Sequence, residues 1–362
     1  MPRLERIYPV EIVLAPEWWH RHAGICFDRD FFFHPARRVE EEARMERILY
    51  ERWGRYGIGS KDRRPEVGAV HLAAGYLIQE MLGCKVEYRQ GHPPLVIPAR
   101  QERLDVDPDA AFSSPAFKAF SDMCDRLYRE YGYLTGDVNF SGILNIALDL
   151  RGQDLFLDMY TDPNRVKQQF ANIAQVITRF VDFVMARTGT SSISVNRNVR
   201  HLPEPVVLHS ECTHTMISQQ DYERFLMEYD IMWSKRYKAF GVHYCGPDPH
   251  RHAPSYAKIP GLAFVDVGAG GDVRIMRQYL PEAFLNCRLD PVKLREQTPD
   301  QIRQIIYDLA KASDKPALTG ICCINLDDTV TDPQVTAILE AAAELRMAAQ
   351  KGQENDPPGL RG

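Results

Sequence analysis

The chain predicts an α/β fold, a (β/α)8 TIM barrel with an irregular helical N-terminal extension, and three observations support it. Short apolar runs alternate with amphipathic helices from about residue 114 onward, the pattern of parallel β/α construction. The 362 residues suffice for eight such units and an extension. Several apolar runs also end on histidine, cysteine or aspartate, which a barrel gathers at the C-terminal face of its strands. A doubly wound open sheet is the alternative.

The opening hundred residues form a cap that belongs to the barrel. An aromatic, charged start (Trp18, Trp19, Phe31, Phe32, Phe33) leads into a Glu/Arg-rich helix over residues 35–53, and a second helix is expected over 65–82. The strip from Gly91 to Pro98 is too rich in proline to be helical and reads as extended. The barrel body follows over residues 101–351. Asp162-Pro163 opens a long helix to about Arg187, with aspartate capping free amides and proline at the first helical position. Ser218-Gln219-Gln220-Asp221 resembles a capping box, Thr298-Pro299-Asp300-Gln301 is a better one, and Asp332-Pro333 opens the last helix. Between the helices lie apolar runs at 205–208, 239–243, 262–267, 283–285 and 317–321, read as strands. The polar, Pro/Gly-rich tail over 352–362 is expected to be disordered.

Composition narrows the function. A net charge of -5 with acidic and basic residues interspersed gives no basic stripe for nucleic acid. No run approaches the roughly 20 apolar residues of a membrane span, and the start lacks the apolar core of a signal peptide, so a cytoplasmic protein is expected. Eight scattered cysteines in so large a chain fit reduced thiols better than a disulfide framework.

The chemistry concentrates at His243-Tyr244-Cys245-Gly246, which closes one apolar run, and at Gly320-Ile321-Cys322-Cys323, which closes another. One imidazole and two thiolates favour zinc, and three protein ligands leave a fourth position open. His243, Cys245 and Cys322 are therefore the expected ligands, with Cys323 the alternative to Cys322. Asp266 ends a third run; a buried carboxylate needs a partner, and it would complete the metal shell, hold substrate or act catalytically. His209, Glu211, Cys212 and His214 form a denser cluster after another strand, either a competing metal site or a polar lining that recognises substrate. Cys287 is a lesser candidate for the thiolate. Asp248, His250 and His252 read as a solvated loop, and Gly268-Ala269-Gly270-Gly271-Asp272 as a tight turn whose backbone can approach a ligand, with Asp272 available to substrate.

Taken in order, these segments resemble the uroporphyrinogen decarboxylase superfamily, including its zinc-dependent, corrinoid-linked methyltransferase branch. Pro16, Trp18, Arg21, Ala23 and Gly24 keep the spacing of the decarboxylase's Pro-x-Trp-x-x-Arg-x-Ala-Gly segment. Leu82-Gly83, Val86-Glu87-Tyr88 and Gly91-His92-Pro93-Pro94 follow its next stretch. Ile217-Ser218, Cys287-Arg288-Leu289-Asp290-Pro291 and Thr298-Pro299 match the shape of its Ser-Pro-Glu, Gly-Asn-x-Asp-Pro and Thr-Pro-Glu landmarks. The departures decide the branch: Ile25 stands where a second arginine binds carboxylates, and Ala74 where the decarboxylase has its essential aspartate. His243, Cys245 and a later cysteine match the methyltransferase zinc ligands in type and order.

The resemblance implies methyl transfer between a small methylated substrate or thiol and a corrinoid (cobalamin), carried by a corrinoid protein partner. Arg21, His209, Glu211 and His214 would orient the small molecule, and a homodimer is compatible with these features. Two other classes remain open: a lyase acting on another carboxylated substrate, with Arg21 as anchor and His214 or Asp266 as proton donor, and a non-catalytic tetrapyrrole or corrinoid binder.

Overall fold

Six short apolar segments lie side by side and parallel, in a curled sheet with the order β1-β8-β7-β6-β5-β4. They are β1 (Val10–Leu14), β4 (Val206–Ser210), β5 (Ala239–Tyr244), β6 (Leu262–Val267), β7 (Phe284–Arg288) and β8 (Thr319–Leu326); β2 (Lys85–Glu87) and β3 (Leu95–Ile97) make a separate antiparallel pair. The computed structural model describes residues 7–61, 74–132, 134, 138–188, 192, 194 and 196–354. The start of the expected 65–82 helix and most of the 352–362 tail lie outside them.

Within the described residues the sheet is a TIM-barrel-like half-barrel rather than eight regular strands. Two irregular stretches that precede β4 in the chain bridge the gap between β4 and β1 by hydrogen bonds. The Gly142 amide donates to Ser210 O at the end of β4 (2.6 Å), and the Val138 amide to Ser192 O (3.4 Å). The Arg197 and Asn198 amides then donate to the Glu11 carboxylate on β1 at 2.6 and 3.0 Å.

Each of the six parallel strands is followed by helical structure. The long helix Pro163–Thr188 buries Val166, Phe170, Ile173, Ile177, Phe180 and Val184, a stripe at helical spacing. Burial of each such side chain contributes roughly 1.5–3 kcal/mol. Thr298 and Gln301 form the reciprocal capping box at the start of Pro299–Ser313, and Ser218 caps Gln219–Phe225.

Two expectations need correction. The N-terminal region is not free of sheet structure: Val10–Leu14 pairs with β8 along its whole length, register running from Val10↔Ile321 to Leu14↔Leu326. Five residues beside Trp18 and Trp19 carried too little alternation to stand out. The strands at 284–288 and 319–326 also run past the apolar runs that marked them: β7 ends on the inward polar residues Asn286 and Arg288, whereas β8 simply continues through Cys322, Cys323 and Ile324 to Leu326. Among the described residues no helix is long and apolar enough to cross a membrane.

Candidate metal centre at the strand ends

In-register pairing sets Ser210, His243, Asp266, Asn286 and Gly320 in one row across β4 to β8. Alternation along each strand turns such a row to one side of the sheet. Further toward the mouth, Glu11, Cys322 and Arg288 are matched across β1, β8 and β7. Beneath the rows, Phe264 and Phe284 stack with ring centroids 5.2 Å apart and close the floor. Gly320 has a steric reason: a Cβ there would lie 2.8 Å from Asn286 Oδ1.

His243 is buried and oriented by a connected polar network. Its Nδ1 lies 2.5 Å from Asp266 Oδ2, which also accepts from Asn196 Nδ2 at 2.8 Å. Asn286 Nδ2 donates to Asp266 Oδ1 at 2.6 Å and lies 3.2 Å from Cys322 Sγ, while Asn198 Nδ2 donates to Asn286 Oδ1 at 2.7 Å. With Nδ1–H held by the carboxylate, the lone pair of Nε2 is directed away from the network. Burial pushes the His243 pKa down, but the Asp266 carboxylate more than offsets it, so the net shift is upward.

Among the described residues, the Cys212 and Cys245 sulfurs and a His243 ring nitrogen lie within 4.8 Å of one another. A tetrahedral zinc keeps its donor atoms about 3.5–4 Å apart, so this group needs to close by only about an ångström. The donor chemistry also fits. A hydrogen bond from Cys212, with the nearby His243 and Arg288, holds the Cys245 thiol far below its ordinary range despite burial, which favours the thiolate that binds metal. Arg288 Nη1 lies 3.4 Å from His243 Nε2, so its guanidinium faces the lone pair that a metal would take.

The other expected residues divide by what already engages them. Cys322 is fully buried against Asn286 in the barrel interior, whereas Cys323 packs into the core shared with the helices, its pKa pushed up to about 12 by burial. Cys287 packs into the same core. Glu211, buried, accepts from the Leu144 amide at 2.7 Å and from Thr213 Oγ1 at 3.1 Å. His209 lies 2.7 Å from Asp230 and 3.5 Å from Glu211. Burial lowers its pKa, but the two carboxylates together raise it to about 9. The Ile143 amide, 3.3 Å from Nε2, suits a neutral ring, but a single amide dipole is outweighed by the two carboxylates. His214 is buried beside Tyr222 and Tyr256, its pKa driven well below normal by burial and by neighbouring cationic groups.

Farther out, Arg21 is exposed and pairs with Asp328 at 2.8 Å. Asp272 caps the helix Val273–Tyr279 through the Ile275 amide. The glycine turn before it does approach a backbone, but that of the His-x-Cys loop: a Cβ on Gly268 would lie 1.9 Å from Gly246 O. Asp248 accepts from Tyr244 Oη, and His250 Nδ1 from the Asp272 amide. His252 does not belong to a solvated loop; it is fully buried, because the Pro249–His252 turn folds its ring against Tyr222 and Tyr256.

Two site residues were underweighted in the sequence. Cys212 stands in sequence beside Glu211 and His214 after β4, although β4 and β5 end at the same rim. Arg288 follows Asn286 by two residues and so shares its face of β7, a signal that alternation carries.

No protein-family model matches the sequence, and no curated protein sequence does. Solved structures do match in shape. A methyltransferase from Methanosarcina mazei superposes with a TM-score of 0.65 over 94% of both chains at 12% identity. The chain has the fold of that methyltransferase. A B12-independent methionine synthase from Shewanella sp. W3-18-1, solved with selenomethionine, matches with a TM-score of 0.53 over 96% of this chain and 99% of that one, at 10% identity. The resemblance drawn from the motifs is thus met at the level of the fold.

Proposed function

We propose that the chain is a zinc-dependent methyltransferase that moves a methyl group between a small methylated substrate or thiol and a corrinoid carried by a partner protein. The observation that carries this reading is the His243/Cys245/Cys212 group at the rim of a fold shared with methyltransferases. His243 and Cys245 would hold the metal; Cys322 on β8, the expected third ligand, is not part of the group that lies within 4.8 Å and would have to move toward it, whereas Cys212 is already there. When bound, the metal would supply the Lewis acidity that keeps a substrate sulfur as thiolate.

The chain's own residues do the rest. Asp266 fixes the His243 tautomer and is itself held by Asn196 and Asn286, so the ring enters the site in one orientation. Arg288 gives up His243 Nε2 when a metal takes that lone pair, and its guanidinium is then free to face a negatively charged part of the substrate. Phe264 and Phe284 keep the floor apolar. In thiol methylation the S–C bond forms as the bond from methyl to donor breaks, and the donor keeps the electron pair.

The likeness to a B12-independent methionine synthase supports a second reading of the donor alone, in which methyl reaches sulfur without a corrinoid. Metal analysis of the purified protein and of Cys245→Ser tests the site. One zinc per chain is expected in the wild type and its loss in the variant; full zinc in the variant would refute the ligand set. Incubation with methylcobalamin and a thiol tests the donor: demethylation supports the corrinoid, and none favours the second reading.

A further inference from the structure

Two of the eight thiols stand side by side at this rim. Ser210 and His243 are matched across β4 and β5, and the Glu211 amide donates to His243 O at 3.1 Å, which carries the pairing one step past the matched residues. Cys212 and Cys245 each follow that matched pair by two residues, so they leave neighbouring strands abreast, where backbones run about 4.8 Å apart. A disulfide requires Cα atoms roughly 4.4–6.8 Å apart and sulfurs about 2.05 Å apart. The two sulfurs already lie within 4.8 Å of each other, and Cys212 donates a hydrogen bond to Cys245. Turning one side chain to a neighbouring staggered position closes a gap of that size.

The other cysteines are placed differently. Cys84, Cys124, Cys287, Cys322 and Cys323 are buried, and Cys322 and Cys323 turn to opposite faces of β8 into separate apolar clusters. Cys26 is partly exposed but faces His20 Nδ1, at 3.4 Å. Cys212 and Cys245 are both partly exposed, so a soluble oxidant reaches them.

We infer that Cys212 and Cys245 are a reversible redox pair, which a low-molecular-weight disulfide converts to an internal disulfide that ties the end of β4 to the end of β5. The linkage stands on the placement of the two cysteines; its effect on metal rests on the site proposed above. One cysteine sulfur attacks the oxidant, releasing one of its thiols and forming a mixed disulfide, and the other cysteine sulfur then displaces the second thiol. Two protein S–H bonds and the S–S bond of the oxidant break, and one protein S–S bond forms. The two protons and two electrons lost by the cysteines end on the two thiols released. Disulfide sulfurs carry no thiolate charge with which to bind zinc, so oxidation leaves His243 without both of its sulfur neighbours.

The metal-free full chain, equilibrated with oxidised glutathione, alkylated with iodoacetamide and digested, tests the linkage by peptide mass spectrometry. Two of the eight thiols should escape alkylation, in one crosslinked pair of peptides joining Cys212 to Cys245, and dithiothreitol should return both. Zinc uptake, read with a chromophoric chelator, should fall from about one per chain in the reduced protein to none in the oxidised one. Zinc added before the oxidant should protect both thiols. Cys212→Ser and Cys245→Ser, checked for folding by circular dichroism, should form no crosslink and should each keep glutathione on the remaining cysteine, because nothing displaces it; either folded variant suffices. Full alkylation of the oxidised wild type, a mixed disulfide that persists there, or a crosslink from either cysteine to Cys322 would overturn the inference. A Cys212–Cys245 crosslink in a protein whose reduced form takes up no zinc would uphold the redox pair and remove the metal reading.

Discussion

The rim of β4 and the rim of β5 carry nearly the same residue types and differ in which lone pairs are already engaged. On β4, His209 is clamped by Asp230 and Glu211, and Glu211 in turn holds the amide at the start of the helix Ile143–Arg151. On β5, His243 has a carboxylate on one nitrogen only, and the Cys245 thiol just beyond the strand is pulled well below its ordinary range by Cys212, His243 and Arg288. A cluster of potential ligands can therefore take a metal only where its donors are not locked between carboxylates; on β5 the second His243 nitrogen faces only the Arg288 guanidinium, at 3.4 Å. Cys212 is the exception on β4: its sulfur belongs geometrically to the β5 group.

The sharpest way to break this contrast is to remove a donor from each rim. His243→Ala and Cys245→Ser should each lower zinc affinity by at least about 100-fold, as loss of a direct ligand requires, measured by competition with a chromophoric chelator. His214→Ala should leave zinc unchanged in the same assay; loss of zinc there would move the metal to β4. Asp266→Asn should come next, weakening zinc by about 10–100-fold through loss of the partner that orients His243.

Stability should show the reverse pattern. Glu211→Ala leaves the Leu144 amide without its acceptor and removes one of the two carboxylates beside His209, so a loss of about 3 kcal/mol is expected in urea unfolding. Zinc stoichiometry in the folded fraction should be unaffected. The pH dependence of stability follows from His209, whose pKa rises on folding from 6.5 to about 9. Its contribution is complete below about pH 6.5 and lost as pH rises through 9, because the unfolded ring releases its proton first. Wild-type stability should fall over that window, and His209→Gln should flatten the fall. Thr298→Ala, far from either rim, should cost only about 1 kcal/mol through loss of its helix cap, with no effect on metal.

Much of the fold was legible because its signals are local. Asp162-Pro163, Thr298 to Gln301 and Asp332-Pro333 each mark a helix start to within a residue, and Thr298 with Gln301 forms the capping box its sequence spells. The His-x-Cys strand stood out because it ends in Gly246-Pro247 after an unbroken apolar run. What the sequence hid depends on pairing across strands. Whether Cys322 or Cys323 faces inward follows from its register with Arg288 and Glu11, which only the sheet defines. Asn196, Asn198 and Asn286 gave no signal as single residues, yet together they fix Asp266 and through it His243. Glu211 read as chemistry because its partner, the Leu144 amide, lies 67 residues away.

The most direct test is a crystal structure of the zinc-loaded protein with anomalous data collected at the zinc edge. One peak is expected about 2.0–2.1 Å from His243 Nε2 and about 2.3 Å from Cys245 Sγ, with Arg288 turned away from the imidazole. A zinc peak at His209 or His214, or no peak with Arg288 still against His243 Nε2, would contradict the account.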